Sequence, residues 1–277
     1  MVEKEPPLSC FTNAGITNVT NGTLATGSSR IVVSGGSFNV NGGAVTLTGG
    51  VNTANGALQA NGGDINLSSG SITVNEDSAG GGTTNVTAAG SGKLNISGGS
   101  FIVQGQTVAS DTVQFNGEVT ISSGSFSVAA GQVITNGSAV FNIVGDEATS
   151  IEMNNLNLIG GRTATFNFTF DNDGVETVTN NGFMGLSAVL LNVDGSLYVG
   201  GIASFDLFTS SNLASTIDDA NISVTGLGVE GVDWELVQGA GTSNNVTLNI
   251  LTVPEPSMAA LLGGLVALSC TALRRRR

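Results

Sequence analysis

The chain has 277 residues, with 21 acidic against eight basic side chains, a formal net charge of −13, 41 glycines, two cysteines and no histidine. Without histidine there can be no His-based triad, no imidazole metal ligand and no imidazole acid–base chemistry. Only Lys4, Arg30, Lys93 and Arg162 are basic before the last four positions, and residues so far apart form no basic patch by sequence proximity, which argues against nucleic-acid binding.

Residues 1–29 read as a lead-in. Met1-Val2-Glu3-Lys4-Glu5-Pro6-Pro7 has neither a basic start nor an apolar core, so no signal peptide is visible. Cys10 follows Leu8-Ser9 without a preceding apolar run, and a lipoprotein cleavage site is set aside. Cys270 lies inside an apolar C-terminal stretch, so no intrachain disulfide framework is expected.

Residues 30–160 repeat. IVVSGGSFNV at 31–40, INLSSGSITV at 65–74, LNISGGSFIV at 94–103 and VTISSGSFSV at 119–128 are near copies. Each alternates apolar and polar residues, turns a Ser/Gly corner, then alternates again. Period-two alternation over so few residues predicts short strands, and glycine permits the bend. Weaker copies begin at Asn41-Gly42-Gly43, Asn61-Gly62-Gly63 and Asn136-Gly137-Ser138. Strands joined by Gly/Asn corners, with no helical period, predict an all-β fold built on a parallel β-helix, a β-solenoid. One coil cannot bury its apolar face alone. Stacking at about 4.8 Å per strand lines equivalent side chains up into a core. Phe38, Ile72, Phe101 and Phe126 hold the same place in their copies and are expected to stack inside. Parallel crossovers favour a right-handed coil. This region resembles the passenger β-helices of autotransporter-type adhesins, which implies an adhesin-like body.

Residues 161–252 change texture and read as a C-terminal β region or cap. Phe166 to Phe170 alternates, Asp171-Asn172-Asp173-Gly174 turns, and Val175 to Val178 returns. Leu186 to Val193 and Ser196 to Val199 flank Asp194-Gly195, and Val246 to Leu251 closes the region. Antiparallel hairpins are expected, extending or capping the solenoid and blocking its open edge.

Asp171, Asp173 and Glu176 are the densest carboxylates and the one calcium candidate. Their spacing matches neither the EF-hand nor the nonapeptide calcium roll, and an Asp-Asn-Asp-Gly turn needs no metal; no cofactor is expected. Gly90-Ser91-Gly92-Lys93 lacks the first glycine and the Ser/Thr of a phosphate loop. The alternative function is a polysaccharide-active β-helix enzyme, a lyase or hydrolase. A lyase needs an Arg or Lys base, and Lys93 and Arg162, the only basics in or beside the second half of the solenoid, lack a nearby acidic cluster. A glycosidase needs two carboxylates on one face, and Asp146, Glu147 and Glu152 fall close together. Sugar sites favour exposed aromatics, but Trp234 and Tyr198, the only non-Phe aromatics, lie outside the repeats. No pattern favours that chemistry, and no catalytic residue is assigned.

Residues 253–277 carry an address. Val253, Pro254, Glu255 and Pro256 form an extended, donor-poor segment that a protease can grip as a strand. Residues 258–273 are apolar and read as a short hydrophobic helix that partitions into lipid. Arg274, Arg275, Arg276 and Arg277 stay on the cytoplasmic side and fix the orientation. The three parts in this order resemble the PEP-CTERM sorting signal of exported bacterial proteins. That resemblance implies recognition by an exosortase-type membrane protease, transient anchoring in the inner membrane, and delivery to the cell surface or extracellular matrix. Extracellular polysaccharide is a further expected partner. An exported chain needs an N-terminal signal peptide, so an N-terminal piece is expected to be missing. Cutting before Pro254 removes four of the eight basic and one of the 21 acidic residues, which leaves a net of −16.

Overall fold

A computed structural model describes residues 10–26, 30–48, 58–75, 83–89, 92–104, 112–129, 131–159, 161–239 and 244–252. The described chain is nearly all-β, wound into stacked parallel coils that form a β-solenoid. The expected C-terminal hydrophobic helix lies outside these residues.

Each coil lays down three strand segments, one per face. Face one holds Cys10–Asn13, Arg30–Val33, Leu58–Asn61 and Thr83–Ala89, then the first residues of Thr112–Val128 and Gln132–Val144. Face two is the longest ladder. It begins at Ile16–Val19 and runs through parts of Ser37–Thr48, Asp64–Asn75, Lys93–Gln104, Thr112–Val128 and Gln132–Val144. It continues through Thr163–Thr169, Val189–Asp194 and Ile222–Thr225. Face three takes Thr23–Ala25 and the later parts of the long strands, then Ala148–Asn157, Val178–Gly185 and Ala203–Ser215.

Parallel register puts like residues on top of one another. On face three, Val45, Ile72, Phe101, Phe126, Ile151, Val178 and Phe208 form one buried column. Phe101 and Phe126 stack with ring centroids 5.5 Å apart and planes 5° from parallel. On face two, Phe38, Ile65, Leu94, Val119, Phe141, Phe166 and Leu191 form another. Burying each such side chain contributes about 1.5–3 kcal/mol, so the columns supply the main cohesion between coils.

Phe38 is a correction to the repeat alignment. It is buried as expected, but it pairs with Ile65 on face two, not with Ile72 on face three. The 31–40 copy turns the corner between faces one and two, whereas the 65–74 copy turns the next corner. An apolar strand, a Ser/Gly bend and a second strand suit either corner, so similarity alone does not say which.

Gly70 and Gly99 show why the corners need glycine. Both have positive φ, 82° and 73°. A Cβ on Gly99 would meet the Gly70 carbonyl oxygen at 2.5 Å, and one on Gly70 would meet that of Gly43 at 2.0 Å. Stacked corners therefore exclude side chains sterically as well as by backbone angle.

The C-terminal region departs from expectation in part. Thr163–Thr169 and Val189–Asp194 do not fold back as hairpins; they are successive coils paired in parallel on face two. The Asp171 and Asp194 turns are solenoid corners. Alternation with a polar turn reads the same for a hairpin and for a coil corner, because only the partner strand differs. A C-terminal antiparallel hairpin is present further along. Trp234–Gln238 pairs with Val246–Ile250, which pairs antiparallel with Ala203–Ser215 and covers that edge.

Gly99→Ala is expected to destabilise the chain by about 2 kcal/mol or more, measured by urea unfolding. Gly15→Ala, where an added Cβ meets nothing within 4 Å, should stay within about 0.5 kcal/mol.

Candidate functional site

The outward residues of face two form a feature that the sequence alone does not single out. Asn18, Asn39, Asn66 and Asn95 stand in register, then Thr120, then Asn142, Asn167 and Asn192, then Ser223. Each side-chain amide donates to the oxygen of the one before. The Nδ2–Oδ1 distances are 2.8 Å for Asn39 to Asn18, 2.9 Å for Asn66 to Asn39 and 2.8 Å for Asn95 to Asn66. After the interruption they are 2.7 Å for Asn167 to Asn142 and 2.8 Å for Asn192 to Asn167. At the break, Asn142 divides its donors between the Thr120 hydroxyl and the Glu118 carboxylate. The signal was present as Phe38-Asn39-Val40, Ile65-Asn66-Leu67, Leu94-Asn95-Ile96, Phe141-Asn142-Ile143, Phe166-Asn167-Phe168 and Leu191-Asn192-Val193. An amide repeated between two buried apolar residues is self-complementary along a parallel stack, since it offers both donor and acceptor.

An open groove of about 480 Å³ runs along the second half of this ladder. Asn142, Asn167, Asn192 and Ser223 line it together with Thr169 and Asp194. Among the described residues, Asp194 is its one ionisable lining residue. The Ser196 backbone N–H and hydroxyl hold the Asp194 carboxyl below its usual range.

The calcium candidate resolves into a corner rather than a cation site. Asp171 Oδ1 accepts from the backbone N–H groups of Asp173 and Gly174 at 2.9 and 3.0 Å, and Oδ2 accepts from Asp146 N–H at 3.3 Å. Its oxygens are occupied by backbone N–H groups of the turn and of Asp146. Asp171, Asp173 and Glu176 do not converge: among the described residues, no group of three or more His, Cys, Asp or Glu is placed to hold a metal ion. Burial pushes the Asp171 carboxyl up, but the N–H groups of Gly174, Asp173 and Asp146 together outweigh it, and its pKa falls. Burial raises Asp146, and the Asp171 and Asp173 charges raise it further. Burial also raises Glu176, aided by Asp146.

The residues weighed for enzyme chemistry are dispersed. Lys93 Nζ lies 2.9 Å from Glu118 Oε1, and the Lys93 backbone N–H donates to Asp64 Oδ1 at 3.1 Å. Asp64, Lys93 and Glu118 are register neighbours on face two, so their charges alternate along the stack. Among the described residues, two carboxylates approach this lysine. Glu152 sits on face three, while Asp146 and Glu147 sit at the corner before it. Trp234 and Tyr198 are both buried; the indole N–H donates to the Gly228 carbonyl and the phenol to the Gly201 carbonyl. Neither offers an exposed face to a sugar ring. A Cβ on Gly92 would meet the Ala60 carbonyl oxygen at 2.2 Å, so stacking explains that glycine; Gly90 and Ser91 lie outside the described residues.

Val253, Pro254, Glu255, Pro256, the apolar segment 258–273 and Arg274 to Arg277 also lie outside the described residues. The chain leads into them from Thr252, whose backbone N–H and hydroxyl bond to Asp233. Among the described residues, no helix is long and apolar enough to cross a membrane. Comparison with family models, curated proteins and solved structures finds no match to this chain.

The acidic corner sets a pH dependence with two opposed parts. Asp171 has a lowered pKa, so its stabilisation is full above the unfolded value and is lost as pH falls through the folded one. Asp146 and Glu176 have raised pKa values, so they add stability in acid that is lost as pH rises through those values. On acidification from neutral pH, the thermal midpoint should first hold or rise, then fall. Asp146→Asn should flatten the early part and keep the late fall. A steady decline of the native chain from neutrality would contradict this.

Proposed function

We infer that this chain is an exported, non-catalytic structural or adhesin-like protein of a bacterial surface or extracellular matrix, sorted by its C-terminal segment. The carrying observation is the order of parts at the carboxyl end: Pro254-Glu255-Pro256, then apolar residues, then Arg274 to Arg277. The prolines keep the cleavable strand free of helix, the apolar run holds it at the membrane, and the arginines resist translocation. An exosortase-type protease would read this arrangement as its substrate.

The body suits that destination. A stack of coils with columns of buried apolar residues makes a rod whose cohesion does not depend on disulfides or metals. Its exposed acids favour solubility. The polysaccharide-active enzyme is the weaker reading. Lys93 has two carboxylate neighbours along an exposed column, and the Trp234 and Tyr198 rings are covered.

Glu255→Gln and deletion of Arg274 to Arg277 should each leave a longer, unprocessed, membrane-associated species. Gel mobility and fractionation of the native organism read both. Normal maturation of both variants, or an intact native protein dissolved in the cytosol, would overturn the sorting function.

A further inference from the structure

We propose that the groove along the second half of the asparagine ladder binds an extended neutral polysaccharide. This deepens the adhesive reading above and rests on it, since it supplies the surface that would do the adhering.

The ladder bonds leave binding capacity unused. A primary amide has two N–H donors and two acceptor lone pairs. Asn167 spends one N–H on Asn142 and accepts one from Asn192. A second N–H and a second lone pair on the same amide remain outside those two bonds. Ladder bonding also fixes the amide planes, so a ligand meets them already oriented. The same donor–acceptor unit recurs at each strand, about 4.8 Å apart. Thr169 adds a hydroxyl beside the amide row, and Ser223 ends the row with another.

The charge pattern selects the ligand class. Asp194 is the one ionisable group lining the groove among the described residues, and Ser196 holds it in its charged form. Among the described residues, no lysine or arginine lines the site to neutralise a carboxylated or sulfated chain. A polymer dense in hydroxyls and free of charge matches this surface: each hydroxyl both donates and accepts, and none is repelled. The groove is open along its length, which suits a long chain held by many weak contacts rather than an enclosed small molecule.

The test is affinity electrophoresis of the purified protein in native gels containing dextran, galactomannan or mixed-linkage β-glucan, with alginate as the acidic polymer. Asn167→Ser removes a groove amide. Thr169→Arg blocks the groove without touching the ladder. Asn66→Ser makes the same amide loss in the first half of the ladder, outside the groove, and controls for stability. Retardation by at least one neutral polymer and none by alginate is expected. Both groove variants should bind roughly tenfold more weakly, with Asn66→Ser unchanged. Retardation by alginate alone, by no polymer, or equally for native and groove variants would overturn the site, as would an equal loss in Asn66→Ser. Normal sorting without glycan binding defeats this inference alone. Groove-dependent binding by a chain that is never processed defeats the sorting reading and leaves the groove standing.

Discussion

Every part of this fold answers to one constraint: a residue must tolerate its own equivalent directly above and below it. Parallel backbone pairing spaces the coils by about 4.8 Å and leaves no freedom to offset side chains along the stack. Inside, aliphatic and phenyl groups satisfy the rule by dispersion and burial, as with Phe101 on Phe126 and Phe141 on Phe166 at 4.8 Å. Outside, asparagine satisfies it because its amide is complementary to itself. At corners such as Gly70 and Gly99, glycine satisfies it because a neighbouring carbonyl occupies the space of a Cβ. Charge satisfies it only by alternating, and Asp64, Lys93 and Glu118 do alternate.

Departures from like-on-like are informative for the same reason. Thr120 interrupts the amide column, and its hydroxyl and the Glu118 carboxylate both accept from Asn142. Asn180 replaces an apolar residue in the inner column of face three next to Met153, and every polar atom there is engaged. It accepts from Leu156 N–H and donates to the Gly182 and Phe183 carbonyls and to Ser210. A buried amide without those partners would cost several kcal/mol. The acidic corner is a third case. The Asp171 and Asp173 charges add to burial in raising Asp146, whereas at Asp171 backbone N–H groups outweigh the cost of burial.

The repeated Ser/Gly corners and alternating triplets made the solenoid legible, because those patterns are the stacking rule written in residue types. Which corner a copy turns was not legible, as Phe38 shows, since all corners ask for the same chemistry. The parallel pairing of Thr163–Thr169 with Val189–Asp194 was hidden too: a strand carries no local mark of whether its partner is adjacent in sequence or a full coil away. The asparagine ladder lay in plain sight but needed register to become meaningful, because its bonds join residues 21 to 29 positions apart. Spacing also cannot express that Asp171 spends its oxygens on backbone N–H groups of its own turn and of Asp146 in the neighbouring coil. The proposed sorting segment rests on the order of residues in the sequence alone.

A double-mutant cycle across Asn66 and Asn95 tests the stacking rule most directly. Urea unfolding of Asn66→Ala, Asn95→Ala and the double variant should reveal a coupling of about 0.5–1 kcal/mol, with none between Asn66 and the distant Asn192. Strict additivity for Asn66 and Asn95 would mean that these amides do not meet in register, and like-on-like stacking could then not be the constraint that orders the fold.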